Sequence, residues 1–255
     1  MAYGIPFSTL IAGTLVAAAA GMLGSFALLR RMALVGDALS HVALPGIALG
    51  ILFNFNIFLG ALVFLILGTF GIWALEHKTK LPVDTLVGIF FTLALAVGAL
   101  ITPEEEILEA LFGEITNITS LDFLLAVVIS VAVIGILHTF SRRFILSLIS
   151  SDLALSSGFK PHRLELVFLL VFACVVAVGI KLTGALLMGS LIIIPAATSR
   201  NVARSMNQYM WLSALFGVVG AVFGIATASW YGFPPGPAFV LFSGALFFVS
   251  MFFRT

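Results

Sequence analysis

The sequence predicts an all-α polytopic membrane protein with about eight to nine transmembrane segments, and three observations predict it. Of the 255 residues, 62% are hydrophobic and 9% charged, with a mean hydropathy of +1.24. A soluble domain carries roughly 25% charged residues, so this chain lacks the polar residues needed to cover a globule in water. The apolar residues also fall in runs close to the ~20 residues that a spanning helix needs. The breaks between runs are short and hold the Asn, Pro, Gly and charged residues. Soluble enzymes, nucleic-acid-binding proteins and disordered chains are excluded, and a net charge of +1 gives no argument for a polyanionic partner. The single cysteine, Cys174, excludes an intramolecular disulfide framework and a cysteine-rich metal site.

The first run, from about Ser8 to Leu29, is too long and too rich in Gly and Ala for a signal peptide, and it ends on Arg30 and Arg31 instead of starting with them. Further runs lie at 33–53, 57–75, 84–101, 121–140, 164–182, 184–199, 209–230 and 237–253, which makes nine segments. Two of them contain Pro45 and Pro195 and are expected to be broken, short or re-entrant. No internal repeat or hydrophilic domain interrupts the series, so residues 1–255 are expected to form a single polytopic transmembrane domain. Small residues at packing intervals, such as Gly46 and Gly50 or Gly220 and Gly224, let helices approach closely in lipid. Between the fourth and fifth segments lies an acidic loop holding Glu104, Glu105, Glu106, Glu109, Glu114 and Asp122. Within it, Glu104 to Phe112 has the pattern of a short amphipathic helix started by Thr102 and Pro103. The Asn117-Ile118-Thr119 sequon matters only where the source glycosylates.

Lys and Arg stay on the cytoplasmic side of short loops. With the N-terminus outside and nine crossings, the inside loops hold Arg30 and Arg31, Lys78 and Lys80, Arg142 and Arg143, Lys160 and Arg163, Arg200 and Arg204, and Arg254. Only Lys181 falls elsewhere, and the acidic loop falls outside. The C-terminus is then cytoplasmic. The longest inside connection, Ser150 to Arg163, can form a short helix capped by Ser151 or Asp152, running to Ser157 and stopped by Gly158. Such a helix suits docking of a cytosolic partner, and equally suits lying at the membrane interface.

A carboxylate inside an apolar span costs about 2.5–3.5 kcal/mol on insertion scales, so one that persists faces protein or a wet path. Asp37 is the outstanding case. His41 follows four residues later, which puts carboxylate and imidazole on one helical face. At about 1.5 Å per residue, His41 lies roughly 15 Å from Arg31, near mid-membrane. Oxygen and imidazole nitrogen there suit a first-row divalent cation such as zinc or manganese. The same spacing also fits a pair bonded only to itself or to neighbouring helices, an ion pair of Asp37 with Arg30 or Arg31, or a proton relay. His77, His138 and His162 lie near basic inside ends and are expected to be solvated or interfacial. The Gly-x-x-x-x-Gly-Lys-Ser/Thr phosphate loop is absent, so any ATP must be bound by another chain.

Nearly the whole chain resembles the zinc/manganese/iron permease family of bacterial ABC importers. The most specific stretch is Leu28-Leu29-Arg30-Arg31-Met32-Ala33-Leu34-Val35-Gly36-Asp37-Ala38-Leu39-Ser40-His41, continuing through Leu44-Pro45-Gly46. Ser151-Asp152-Leu153-Ala154 to Ser157-Gly158 resembles the family's cytosolic coupling segment, although Gly158-Phe159-Lys160-Pro161 replaces the usual Gly-Leu-Pro. Gly184 to Thr198, with Ile194-Pro195-Ala196-Ala197, and the turn Tyr231 to Pro237 match further segments in order; the acidic residue many relatives carry at Gly232 is missing. The resemblance implies a permease without its own ATP site in the bacterial inner membrane, with a fold like that of cobalamin and siderophore importers. It implies Asp37 and His41 as ligands of a transported metal: zinc first, then manganese, with iron possible, and no permanently bound cofactor. It also implies a permease homodimer in lipid, an ATP-binding cassette ATPase at Ser151, Asp152, Leu153, Ala154, Ser157 and Gly158, an extracytoplasmic metal-binding protein, and no nucleic acid. The alternative from the residues alone is a proton-coupled secondary cation transporter built on the same pair.

Overall fold

The computed structural model describes residues 7–101, 119–185, 187–232 and 234–253. Among them are α1 (Phe7–Leu29), α2 (Val35–Val42), α3 (Leu44–Leu52), α4 (Ile57–Thr79), α5 (Val83–Ile101), α6 (Ser120–Ile149), α7 (Ser151–Ser156), α8 (Pro161–Thr183), α9 (Met188–Val202), α10 (Met206–Tyr231) and α11 (Pro235–Ser250). A 3₁₀ turn, Met251–Phe253, follows, and no strand occurs among the described residues. Among the described residues, eight helical stretches are long and apolar enough to cross a membrane: α1, α2 together with α3, α4, α5, α6, α8, α10, and α11 with the 3₁₀ turn.

The seventh expected segment, one of the two expected to be broken, short or re-entrant, is short. The apolar run 184–199 divides into a turn around Gly184 and Ala185 and the 15-residue α9. At 1.5 Å per residue α9 covers about 22 Å, short of a ~30 Å hydrocarbon layer. Pro195 sits inside α9 without ending it. The other expected interruption is confined to one residue: Ala43, itself in the helical region at φ −73° and ψ −23°, closes α2 and opens α3. Pro45 then falls in the first turn of α3, where its missing N–H leaves no bond unmade.

The expected amphipathic helix over Glu104 to Phe112 lies outside the described residues. Asp122 belongs to the first turn of α6 and not to the acidic loop. Its carboxylate accepts from Thr119 N–H at 3.1 Å while Thr119 Oγ1 accepts from Asp122 N–H at 3.2 Å, a reciprocal cap that fixes where α6 starts.

The core is built on α1, whose Gly/Ala-rich surface meets α6, α8, α9 and α10. A Cβ at Gly24 would overlap the carbonyl of Ile192, so α1 and α9 touch backbone to backbone. In lipid, where burial of apolar surface gives no drive, such close van der Waals packing holds helices together.

Several helix ends share one rim. The Arg30 guanidinium lies over the Phe168 and Phe144 rings, 4.4 and 5.9 Å from their centroids, joining the end of α1 to α6 and the start of α8. His77 stacks on His162 with centroids 4.1 Å apart, adding the end of α4. Asp84 at the start of α5 shares a cavity with Arg30, and Asn207 at the start of α10 shares one with Arg142. This is the basic rim. Met188 Sδ packs at Gly179, about one turn short of the far end of α8, so α9 carries the chain from that depth back to the rim.

Candidate metal centre

Two backbone bonds close the end of α1, Arg31 N–H to Leu28 O at 3.1 Å and Met32 N–H to Ala27 O at 2.9 Å, with Arg31 in the left-handed region at φ 60°. This tight turn sends the chain back into the protein as α2. Three contacts fix its depth. Gly36 sits against Phe172, the central residue of α8. Val42 sits against Gly68, the central residue of α4. The His41 ring meets Phe91 edge-on with centroids 5.1 Å apart, one residue from the centre of α5. Asp37 and His41 therefore lie at mid-depth by three independent helices.

The Asp37 carboxylate turns toward α9. Its Oδ1 accepts from Gly189 N–H at 2.9 Å. Gly189 lies in the first turn of α9, where backbone N–H groups lack intrahelical partners and the helix dipole is positive, so the bond offsets part of the cost of a carboxylate at this depth. A Cβ at Gly189 would overlap that carboxylate. Ion pairing with Arg30 or Arg31, one of the readings the sequence left open, is not what is found.

The imidazole does not bond the Asp37 carboxylate either. His41 Nδ1 lies 2.8 Å from the backbone carbonyl of Asp37. A carbonyl only accepts, so Nδ1–H is the donor, and in the tautomer protonated there Nε2 carries the lone pair. A metal-binding histidine commonly donates its other ring N–H in this way. Ser40 Oγ lies 2.6 Å from the carbonyl of Ala185 and 2.7 Å from that of Asp37, tying α2 to the turn before α9. Both Asp37 and His41 are half-buried, and among the described residues no three His, Cys, Asp or Glu side chains converge. Asp37 and His41 thus present one carboxylate and one imidazole side chain at the same depth.

The segment matching the coupling motif lies at the basic rim. Ser150, not Ser151 or Asp152, caps α7, its Oγ accepting from Leu153 N–H at 3.3 Å, and the helix ends at Ser156, one residue before the expected end. Ser157 is the closing residue, and Gly158 follows at φ 81° with its N–H on Leu155 O. Ala154 is fully buried, whereas Asp152, Leu153 and Leu155 are exposed.

Sequence reasoning missed the ring stack of Trp73, His162 and His77. Trp73 and His162 stack at 4.3 Å, and the Trp73 indole N–H donates to His162 O at 3.1 Å. Beside the stack, burial pulls the Arg30 pKa down while Glu165 and Glu76 push it back up. No spacing signal exists for a contact across 85 residues.

A polytopic helical membrane protein with a carboxylate and an imidazole at mid-depth is what these features define. The chain belongs to the ABC 3 transport family, which matches residues 2–254. The manganese transport system membrane protein MntC of Listeria innocua is 29% identical over 257 residues, covering 99% of this chain and 92% of its own. The high-affinity zinc uptake system membrane protein ZnuB of Haemophilus influenzae is 31% identical over 256 residues, covering 98% of each. Among solved structures, PsaBC from Streptococcus pneumoniae in complex with Fab aligns with a TM-score of 0.84 at 26% identity, covering 97% of this chain and 91% of that one.

Proposed function

We propose that this chain is the membrane permease subunit of an ATP-driven importer of zinc or manganese, with Asp37 and His41 as the ligands the ion meets at mid-membrane. The observation that carries this reading is the mid-depth pair itself: an Asp37 carboxylate anchored on α9, and a His41 ring whose Nδ1 is bonded so that Nε2 is left to coordinate. Imidazole with carboxylate suits both metals, and the relatives named for zinc and for manganese stand at similar identity. The proton-coupled alternative gains no support from either relative.

The remaining parts follow from the same reading. The chain lacks a phosphate loop, so a separate ATPase supplies the power and docks on α7 at the basic rim, through the exposed Leu153 and Leu155. The rim is cytoplasmic by the positive-inside rule, which places the N-terminus outside and the C-terminus inside. An extracytoplasmic protein delivers the ion, and a second copy of the permease completes the path.

The test is uptake of radioactive zinc and manganese, side by side, in cells stripped of their own importers and expressing this chain with its partners. Asp37→Asn removes the anionic ligand while keeping shape. We expect its uptake to fall at least about tenfold, the loss of one strong charge-assisted contact, at unchanged membrane abundance. Undiminished uptake by a well-expressed Asp37→Asn protein overturns the site.

A further inference from the structure

We propose that the permease carries a specific binding pocket for the headgroup of an anionic phospholipid, set in the basic rim between the rim-side ends of α6 and α10. A cavity of about 810 Å³ opens there, with Arg142, His138 and Thr139 from α6 and Asn207 from α10 among its walls, and Phe26, Met206 and Met210 beneath. Among the described residues that line it there is no carboxylate. The contrast with the neighbouring cavity of about 490 Å³ is informative: Arg30 and Arg31 there face Asp84 and Glu165, so its charge is balanced internally. The cavity at Arg142 has only cationic and neutral walls and therefore selects an anion. The first turn of α10, which contributes Asn207, adds the positive end of a helix to the same side.

The surface leading away from the pocket identifies the anion's carrier. Leu124, Val128, Val131, Gly135, His138 and Arg142 fall on one face of α6 at intervals of three and four residues. Leu124, Val128 and Val131 are exposed, and a Cβ at Gly135 would meet open space. This face is an apolar track of single-sided width ending in a cation. On the facing helix, Trp211 and Leu215 are exposed one turn apart, and the Trp211 ring contacts the His138 ring at 5.7 Å. A free phosphate would use the basic end alone; an acyl chain with a phosphate head also uses the rim-side part of the track, since one leaflet is about half of a ~30 Å hydrocarbon layer. Interfacial tryptophan and basic pockets between helices at the cytoplasmic side are what such a ligand requires. The inference takes only the side of the membrane from the orientation proposed above, and its readout does not depend on transport.

The experiment is ligand binding to the full-length chain, purified in a neutral detergent and followed by native mass spectrometry and thermal midpoint. The probes are dioctanoyl phosphatidylglycerol, dioctanoyl phosphatidylcholine and inorganic phosphate. Phosphatidylglycerol is expected to bind and raise the midpoint. Arg142→Gln is expected to weaken it about five- to tenfold, Arg142→Lys less, and Arg31→Gln in the balanced cavity not at all. Equal binding of phosphatidylcholine, or no difference between the wild type and a folded Arg142→Gln protein, overturns the proposal. Inorganic phosphate that binds as tightly as phosphatidylglycerol overturns the lipid assignment in favour of a soluble phosphoester. Should Arg142→Gln fail to fold, the Arg142→Lys and Arg31→Gln pair decides between the same outcomes.

Discussion

At Gly189 the missing side chain is what lets the Asp37 carboxylate reach the backbone of α9. A Cβ there has no harmless direction to move, because it would overlap carboxylate atoms that are themselves held by the Gly189 N–H. Gly189→Ala is therefore expected to cut uptake about as far as Asp37→Asn does, and to lower stability by about 1–3 kcal/mol through overpacking. Gly244→Ala on α11, where a Cβ meets nothing within 4 Å, is the control and should transport normally. Equal uptake by the two alanine proteins would show that the Asp37–Gly189 contact does not position the ligand. That Asp37 and His41 share one face of α2 was legible in the sequence, since four residues make about one helical turn. The partners of the two were not: Gly189 lies 152 residues away, and helical spacing does not say that the imidazole would choose the Asp37 carbonyl over its carboxylate.

At the scale of the element, α7 is a helix of six residues that cannot stand alone, because nucleation costs more than so short a helix returns. It persists because Ser150 caps it, Gly158 ends it, and Ala154 is buried where it packs between α6 and α8. Sequence found the helix but shifted its cap, since Ser150, Ser151 and Asp152 are all good capping residues and only the docking of Ala154 chooses among them. With Ala154 inside, Leu153 and Leu155 are forced outward, 51% and 56% exposed at the basic rim. Apolar residues presented on a capped, anchored helix suit a groove on a partner. Leu155→Glu should abolish co-purification of the ATPase while permease abundance in the membrane stays constant; retained co-purification would move the docking site elsewhere. Pro195 pointed to a short or broken segment over 184–199, but not to where its helix begins. Hydropathy reads the turn before it and the helix as one apolar run, and only the contact of Met188 with Gly179 shows where the helix begins.

For the whole molecule, charge and packing give the same arrangement independently. Of the 12 lysines and arginines, five pairs lie at the rim-side ends or connections of the helices: Arg30 and Arg31, Lys78 and Lys80, Arg142 and Arg143, Lys160 and Arg163, Arg200 and Arg204. Ring contacts such as Trp73 on His162 and Phe144 against Phe26 and Phe168 bring ends of α1, α4, α6 and α8 to one side without reference to charge. The charge pattern was therefore a sound guide to which ends meet, because moving so many cations through lipid is prohibitive and the fold has to keep them together. By placing Arg200 and Arg204 on that side, it also implied that the run 184–199 returns the chain to the rim, as α9 does. That return has a direct consequence for labelling. In a Cys174→Ser background, Phe53→Cys follows α3 and Trp230→Cys lies in the last turn of α10, both at exposed positions away from the rim, whereas Ser156→Cys lies on it. A membrane-impermeant maleimide added to intact cells should label the Phe53→Cys and Trp230→Cys proteins and reach the Ser156→Cys protein only after permeabilisation. Labelling of Phe53→Cys but not Trp230→Cys would mean that α9 does not return the chain to the rim, and the reverse of the whole pattern would invert the proposed orientation and with it the direction of import.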